Sequence, residues 1–169
     1  MRYALYFVAS AAALVIQITW LSRLSPGGAV VDPLLVIVMT VGLLHGPEEG
    51  ALVGAGAGLL QDLMTGAPLG LGMLAGVCVG FCAGLGERSI YVENVWLPGL
   101  AAWVLTLVRN AVWIGAAHLA GLLTASPLDV ARITLLAACY NGLVAVPIFQ
   151  GLRRLDAALV QLYERPRSM

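Results

Sequence analysis

Asp62 and Arg109 are the residues of this sequence that most need a chemical explanation. Each is an ionisable side chain inside a long apolar stretch, where a charge at membrane depth is costly unless it is paired. Asp62 stands in the last turn of one apolar segment, at the end of a helix whose dipole disfavours an anion. Arg109 stands midway along another. At 1.5 Å per residue, Asp62 sits ~18 Å up from Gly50 and Arg109 ~17 Å up from Pro98, so the two share one level. The spacing predicts an Asp62–Arg109 interaction, direct or through Gln61, Asn110 or water. Asn110 and Asn141 complete the strongly polar mid-span set, with His118 further out. Two roles are open to Gln61, Asp62, Arg109, Asn110 and Asn141. They hold helices together by hydrogen bonds of ~0.6 kcal/mol each, or they line a polar pocket for a small ligand. Asp62 and His118 are also lone candidates for carrying a proton.

Catalytic constellations are missing. The sequence has no H-E-x-x-H, no P-loop, no G-x-S-x-G and no paired carboxylates spaced for a pyrophosphate-bound metal. Ser10 is the only serine well inside an apolar segment, and no histidine shares its helix to activate it. Cys78 and Cys82 fall on one helix face, but no His, Asp or third Cys lies near them at ligand spacing. They and Cys139 read as small packing residues. The expectation is a protein with no enzymatic activity, cofactor or metal.

The elements that position these residues are set by composition. Of 169 residues, 60% are hydrophobic and 11% charged, against roughly 25% charged in soluble domains. The charges cluster in short gaps between apolar runs, which is the pattern of a polytopic membrane protein with one domain over residues 1–169. Lysine is absent, and 9 arginines balance 9 acids. No basic block exists that could neutralise a run of phosphates, which argues against nucleic acid as a partner.

The fold expected is all-α: a bundle of six transmembrane helices at about residues 3–21, 33–44, 50–64, 69–85, 95–123 and 130–149. The first run is longer than a signal-peptide core and lacks an A-x-A site, so it reads as a helix that stays. The second and third are short for a ~30 Å hydrocarbon core, which implies a packed bundle with an indented face. Asp32-Pro33 is a strong start signal for the second helix, and Glu48-Glu49 places two acids in the first turn of the third. With the N-terminus cytoplasmic, the inner side holds Arg2, Arg88, Arg153, Arg154, Arg165 and Arg167, while the outer side holds Arg23 and Arg132. Both termini are therefore expected in the cytoplasm. In the tail, residues 151–169, Leu152, Leu155, Leu159 and Leu162 fall on one face. That is an amphipathic cytoplasmic helix, free to lie on the membrane or to dock a partner.

Two glycine ladders stand out. Gly50, Gly54 and Gly58 repeat every four residues in the third helix, and Gly72, Gly76, Gly80 and Gly84 do so in the fourth. Such a stripe lets another helix approach to backbone contact, and in lipid that close packing must supply the association. The two ladders imply either a tight hairpin or two docking surfaces for other helices.

The stretch Asp32-Pro33-Leu34-Leu35-Val36-Ile37-Val38, then Gly50-Ala51-Leu52-Val53-Gly54, then Gly58-Leu59-Leu60-Gln61-Asp62 running on to Gly66-Ala67-Pro68-Leu69-Gly70, resembles the MreD family of rod shape-determining membrane proteins. Pro33, Gly54, Gly58, Asp62, Gly66, Pro68 and Gly70 match the family pattern, and none of them is catalytic there. The resemblance implies a non-enzymatic inner-membrane subunit of the elongation machinery that builds lateral peptidoglycan. Its partners would be the bitopic protein MreC, with the RodA glycosyltransferase, a class B penicillin-binding transpeptidase and MreB in the wider complex. A fold similar to the S components of energy-coupling factor transporters is implied too. On this reading a glycine-rich face accepts the transmembrane helix of MreC. The alternative is an S-component-like subunit that binds a vitamin, with Trp103, Trp113, Asn110 and Asn141 lining its pocket.

Overall fold

The computed structural model describes residues 2–21, 26–86, 96–122 and 126–163. Among them the chain is all-helical. Helix α1 covers Arg2–Ile16 and runs into a π-helical turn, Gln17–Leu21. Then follow α2 (Pro33–His45), α3 (Pro47–Thr65), α4 (Leu71–Leu85), α5 (Leu97–Leu119) and α6 (Pro127–Tyr163). Each corresponds to one expected segment. Arg23, Arg88, Arg165 and Arg167, used above to orient the chain, lie outside the described residues, as do Val95 and Leu123 at the ends of the fifth segment.

Helix α2 is the hub. Every residue from Pro33 to Leu43 is buried, and the helix is apolar all round, as a helix surrounded by others must be. Leu34, Leu35, Val38, Met39 and Leu43 pack in one core with Leu14 of α1, Ala57 of α3, Val79 and Ala83 of α4, Leu105 of α5, and Ala145 and Phe149 of α6. With 13 residues, α2 is only ~20 Å long, so its first turn ends inside the bundle rather than at its rim.

Among the described residues, two helices are long and apolar enough to cross a membrane by length and composition: α5, and α6 over Pro127–Ala158. The apolar stretches Val8–Thr19, Pro33–His45 and Leu71–Leu85 are shorter. Helix α6 runs unbroken through Pro147 for 37 residues. The tail expected as a separate amphipathic helix is therefore, as far as Tyr163, the end of α6 itself.

Turns hold these helices close. Gly46 alone separates α2 from α3, at a φ of 90° that side-chain-bearing residues rarely adopt. Its N–H donates to the Gly42 carbonyl at 2.8 Å, its carbonyl accepts from Gly50 N–H at 3.0 Å, and Pro47 starts α3 at once. Gly66 and Gly70, with φ of 68° and 102°, make the turn from α3 into α4.

Candidate functional site

The glycine ladders determine the geometry around Asp62. Gly50 lies against Gly80, Gly54 against Gly76 and Gly58 against Gly72, so each step of four up α3 meets a step of four down α4. A Cβ on Gly50, Gly54, Gly58, Gly76 or Gly80 would run into the facing backbone, one on Gly72 would strike the Asp62 carboxylate, and one on Gly84 would strike Pro47. Gly42 of α2 adds a further close approach, to the Gly80 carbonyl and Ala83. The ladders are thus occupied by each other. As docking faces for a partner's helix they are closed, because no second backbone can enter a stripe already in backbone contact.

Asp62 is the next position on this ladder, four residues after Gly58. Its carboxylate lies over Gly72, where any Cβ would displace it. It accepts N–H groups from Gly70 at 2.9 Å, from Gly72 at 3.0 Å and from Met73 at 3.4 Å. Glycine at 72 and four-residue spacing on α3 put an anion at the start of α4, where the first-turn amides lack helical partners and the dipole is positive. No direct pair with Arg109 is formed; of the groups expected to bridge the two, Gln61 is held by Arg109. Asp62 does end its own helix unfavourably, but the neighbouring helix start compensates it.

Arg109 takes another partner. Its Nη1 lies 2.5 Å from Oδ2 of Asp32, and its Nη2 donates to Oε1 of Gln61 at 2.6 Å. The two charged side chains are 21% and 5% exposed. Asp32 is held from the other side as well. Its Oδ1 accepts the Leu35 N–H at 3.1 Å, capping α2, and its own N–H donates to Oδ1 of Asn141 at 2.7 Å. Asn141 Nδ2 donates to Thr106 Oγ1 at 3.1 Å, and Thr106 Oγ1 in turn donates to the Ala102 carbonyl at 2.7 Å. One polar layer therefore ties α2, α3, α5 and α6 together at the buried start of α2. Gln61, Arg109 and Asn141 belong to it, while Asp62 belongs to the α4 cap and Asn110 to neither.

Beside this layer is a void of about 10 Å³, bordered by Gln61, Arg109, Gly58 and Gly72, close to the volume one water needs. The layer's chemistry is that of a closed network, with the cation opposite an anion and both the oxygen and the nitrogen of the Asn141 side-chain amide engaged. It offers no poised nucleophile or base. No group of three or more His, Cys, Asp or Glu side chains able to hold a metal occurs among the described residues. Of the residues expected to line a vitamin pocket, Asn141 is buried in the polar layer and Trp113 is exposed on α5.

A second polar cluster went unread in the sequence. At the opposite end of α2, Tyr6 Oη donates to Asp156 Oδ1 at 2.8 Å and lies 2.9 Å from His45 Nε2, itself 3.4 Å from Asp156 Oδ1. Helix α6 runs alongside α2 in the same direction and is joined to it at both ends, through Asn141 to Asp32 and through Asp156 to His45. The available signal was a histidine ending an apolar helix and a single acid on the tail's face. Neither gains meaning without knowing that α2 and α6 are parallel neighbours.

Compared with known proteins, residues 1–154 match the family model described as rod shape-determining protein MreD. No curated protein and no solved structure matches the chain, so the likeness to transporter S components is carried by no match.

Proposed function

This chain belongs to the MreD family of rod shape-determining membrane proteins, and from that premise we propose that it is a multi-pass inner-membrane subunit of the cell-elongation machinery. The family match over residues 1–154 carries this reading, since it covers every helix except the last turns of α6. Six helices lie across the cytoplasmic membrane with both termini inside, and the excess of arginine on the inner side supports that orientation. The work is non-enzymatic. The protein binds the bitopic protein MreC within the bilayer and so connects it to RodA, a class B transpeptidase and MreB during lateral peptidoglycan synthesis.

The bundle suits a scaffold. Its buried charges are held internally, Asp32 by Arg109 and Asp62 by the amides at the start of α4, and its tightest helix contacts are its own, so it presents an apolar exterior that other helices can recognise by shape. Because the ladders are closed, MreC binds elsewhere than on Gly50–Gly58 or Gly72–Gly84.

Affinity purification of the tagged chain from mild detergent, with identification of its companions, tests the reading. MreC is expected among them, and cells depleted of the chain are expected to round up. Rod-shaped growth without the chain, together with the absence of MreC from the purified material, would overturn it.

A further inference from the structure

Helices α5 and α6 diverge toward one end of the bundle. Near the start of α5 their backbones touch, and a Cβ on Gly99 would come within 2.8 Å of the Gly142 carbonyl. Toward the end of α5 they part, and a Cβ on Gly115 meets nothing within 4 Å. The wedge between them encloses about 590 Å³, bounded by Leu107, Ala111, Gly115 and His118 of α5 and by Ala131 and Thr134 of α6. That volume lies within the ~300–1,000 Å³ of small-molecule sites.

The length of the wedge separates two kinds of occupant. Helix α5 has 23 residues and measures ~34 Å, close to the ~30 Å hydrocarbon core. Leu107 stands near its middle, and His118, next to its last residue, is ~16 Å further on. The wedge therefore opens at the rim of the bundle and closes at mid-depth. A transmembrane helix, ~10–12 Å across, has to pass both leaflets and would be stopped where α5 and α6 meet. A lipid chain enters from one leaflet and ends at the midplane.

The polar groups of the wedge point to a particular lipid. No carboxylate lines it, and its one ionisable side chain is His118, exposed at the rim. Asp129 stands two residues from both Pro127 and Ala131 and so belongs to another side of α6. Thr134 is on the α6 wall, two turns in from Pro127. Thr40 and Thr106 return their hydroxyls to carbonyls of their own helices at 2.7 Å, whereas neither Thr134 nor His118 has a partner among the described residues. An imidazole donates to a phosphate and, when protonated, attracts it; a hydroxyl further in donates to an ester carbonyl.

We propose that the α5–α6 wedge binds one anionic glycerophospholipid, with its phosphate at His118, an ester carbonyl at Thr134 and one acyl chain along Gly115 and Ala111 down to Leu107. This rests on the reading of the chain as a membrane-spanning protein and is independent of which proteins it works with.

Native mass spectrometry of the full chain, purified in mild detergent and titrated with phosphatidylglycerol, is the test. One phosphatidylglycerol is expected to stay bound at collision energies that strip the others, and phosphatidylcholine to be retained about fivefold less. Gly115→Leu fills the wedge and is expected to lower retained phosphatidylglycerol about tenfold, equivalent to ~1.4 kcal/mol. His118→Ala is expected to bring phosphatidylglycerol down to the phosphatidylcholine level and to leave phosphatidylcholine unchanged. Both variants are expected to elute as the wild type does, since a Cβ at Gly115 meets no atom of the chain and His118 is exposed. Equal retention of the two lipids by the wild type, or undiminished phosphatidylglycerol in Gly115→Leu, would overturn the site. A photo-crosslinker in place of Ala131, exposed on the α6 wall, is expected to gain the mass of a phospholipid in cells. Capture of a protein there, whether a second copy of this chain or a partner's helix, would overturn it too. Recovery of the chain from cells without detergent would instead remove the membrane reading on which the site rests.

Discussion

The carboxylate of Asp32 meets the guanidinium of Arg109 at 2.5 Å, and neither residue belongs to the same helix or the same apolar segment. Asp32 begins a helix too short to reach the bundle's rim, so its cap is carried inside, where a lone carboxylate is untenable. Breaking a buried pair by removing one partner leaves the other charge uncompensated. Arg109→Gln and Asp32→Asn are each expected to cost ~3–5 kcal/mol, and the double replacement Asp32→Leu with Arg109→Leu less than their sum. Unfolding curves of the four proteins in one detergent decide it; strict additivity would show that the two charges do not depend on each other.

Gly76→Leu should prevent the α3–α4 hairpin from closing, since even a Cβ there runs into Gly54. The side chain has backbone on its far side and nowhere to shift, so the cost is at least ~1–3 kcal/mol. Loss of the folded, monodisperse species on size exclusion is expected, with Gly115→Leu as an unaffected control. A Gly76→Leu protein that extracts and elutes like wild type would contradict the packing.

Asp62→Ala removes the acceptor of three amides at the start of α4, of which that of Gly72 is buried. A loss of ~1–3 kcal/mol follows, and Asp62→Asn, which keeps one acceptor oxygen, is expected to lose less. Hydrogen exchange reads the effect directly. Amides at Gly70, Gly72 and Met73 should exchange faster while those around Thr106 and Asn141 do not. Equal acceleration in both places would mean that Asp62 acts on the Arg109 layer after all.

Tyr6→Phe removes the hydroxyl shared by His45 and Asp156. The end of α6 then loses a fastening to α1 and α2, at ~0.5–1.5 kcal/mol for a typical hydrogen bond and more for one to a charged group. Faster exchange is expected in residues 152–158, with Asn141 and its neighbours unchanged. No difference in that segment would show that packing of Phe149, 1% exposed, is enough to hold α6 in place.

Helix content and order were legible because apolar runs, Asp32-Pro33, Pro47 and the glycine turns are local signals, each acting within a few residues. The ladders were legible as surfaces that demand close contact. Which surface they meet was not, since a four-residue glycine repeat reads alike whether the next helix belongs to the same chain or to another. Asp62 illustrates the limit best. Its depth and its place at a helix C-terminus made compensation necessary, and Arg109 stood at a matching height. Height is one coordinate of three. The rotation of α3 that brings Gly58 onto Gly72 also turns Asp62 toward the start of α4 and leaves Gln61 to face Arg109.

By itself, then, the sequence determined that this chain is helical, apolar and in need of internal partners for its few charges, because those properties follow from composition and from spacing along single helices. Tertiary structure alone decided who the partners are. Asp62 goes to the amides of α4, Arg109 to the cap of a helix 77 residues earlier, and the glycine ladders to each other. The physical reason is that pairing in a helix bundle depends on how neighbouring helices are rotated and staggered, and that is fixed by all of their contacts at once.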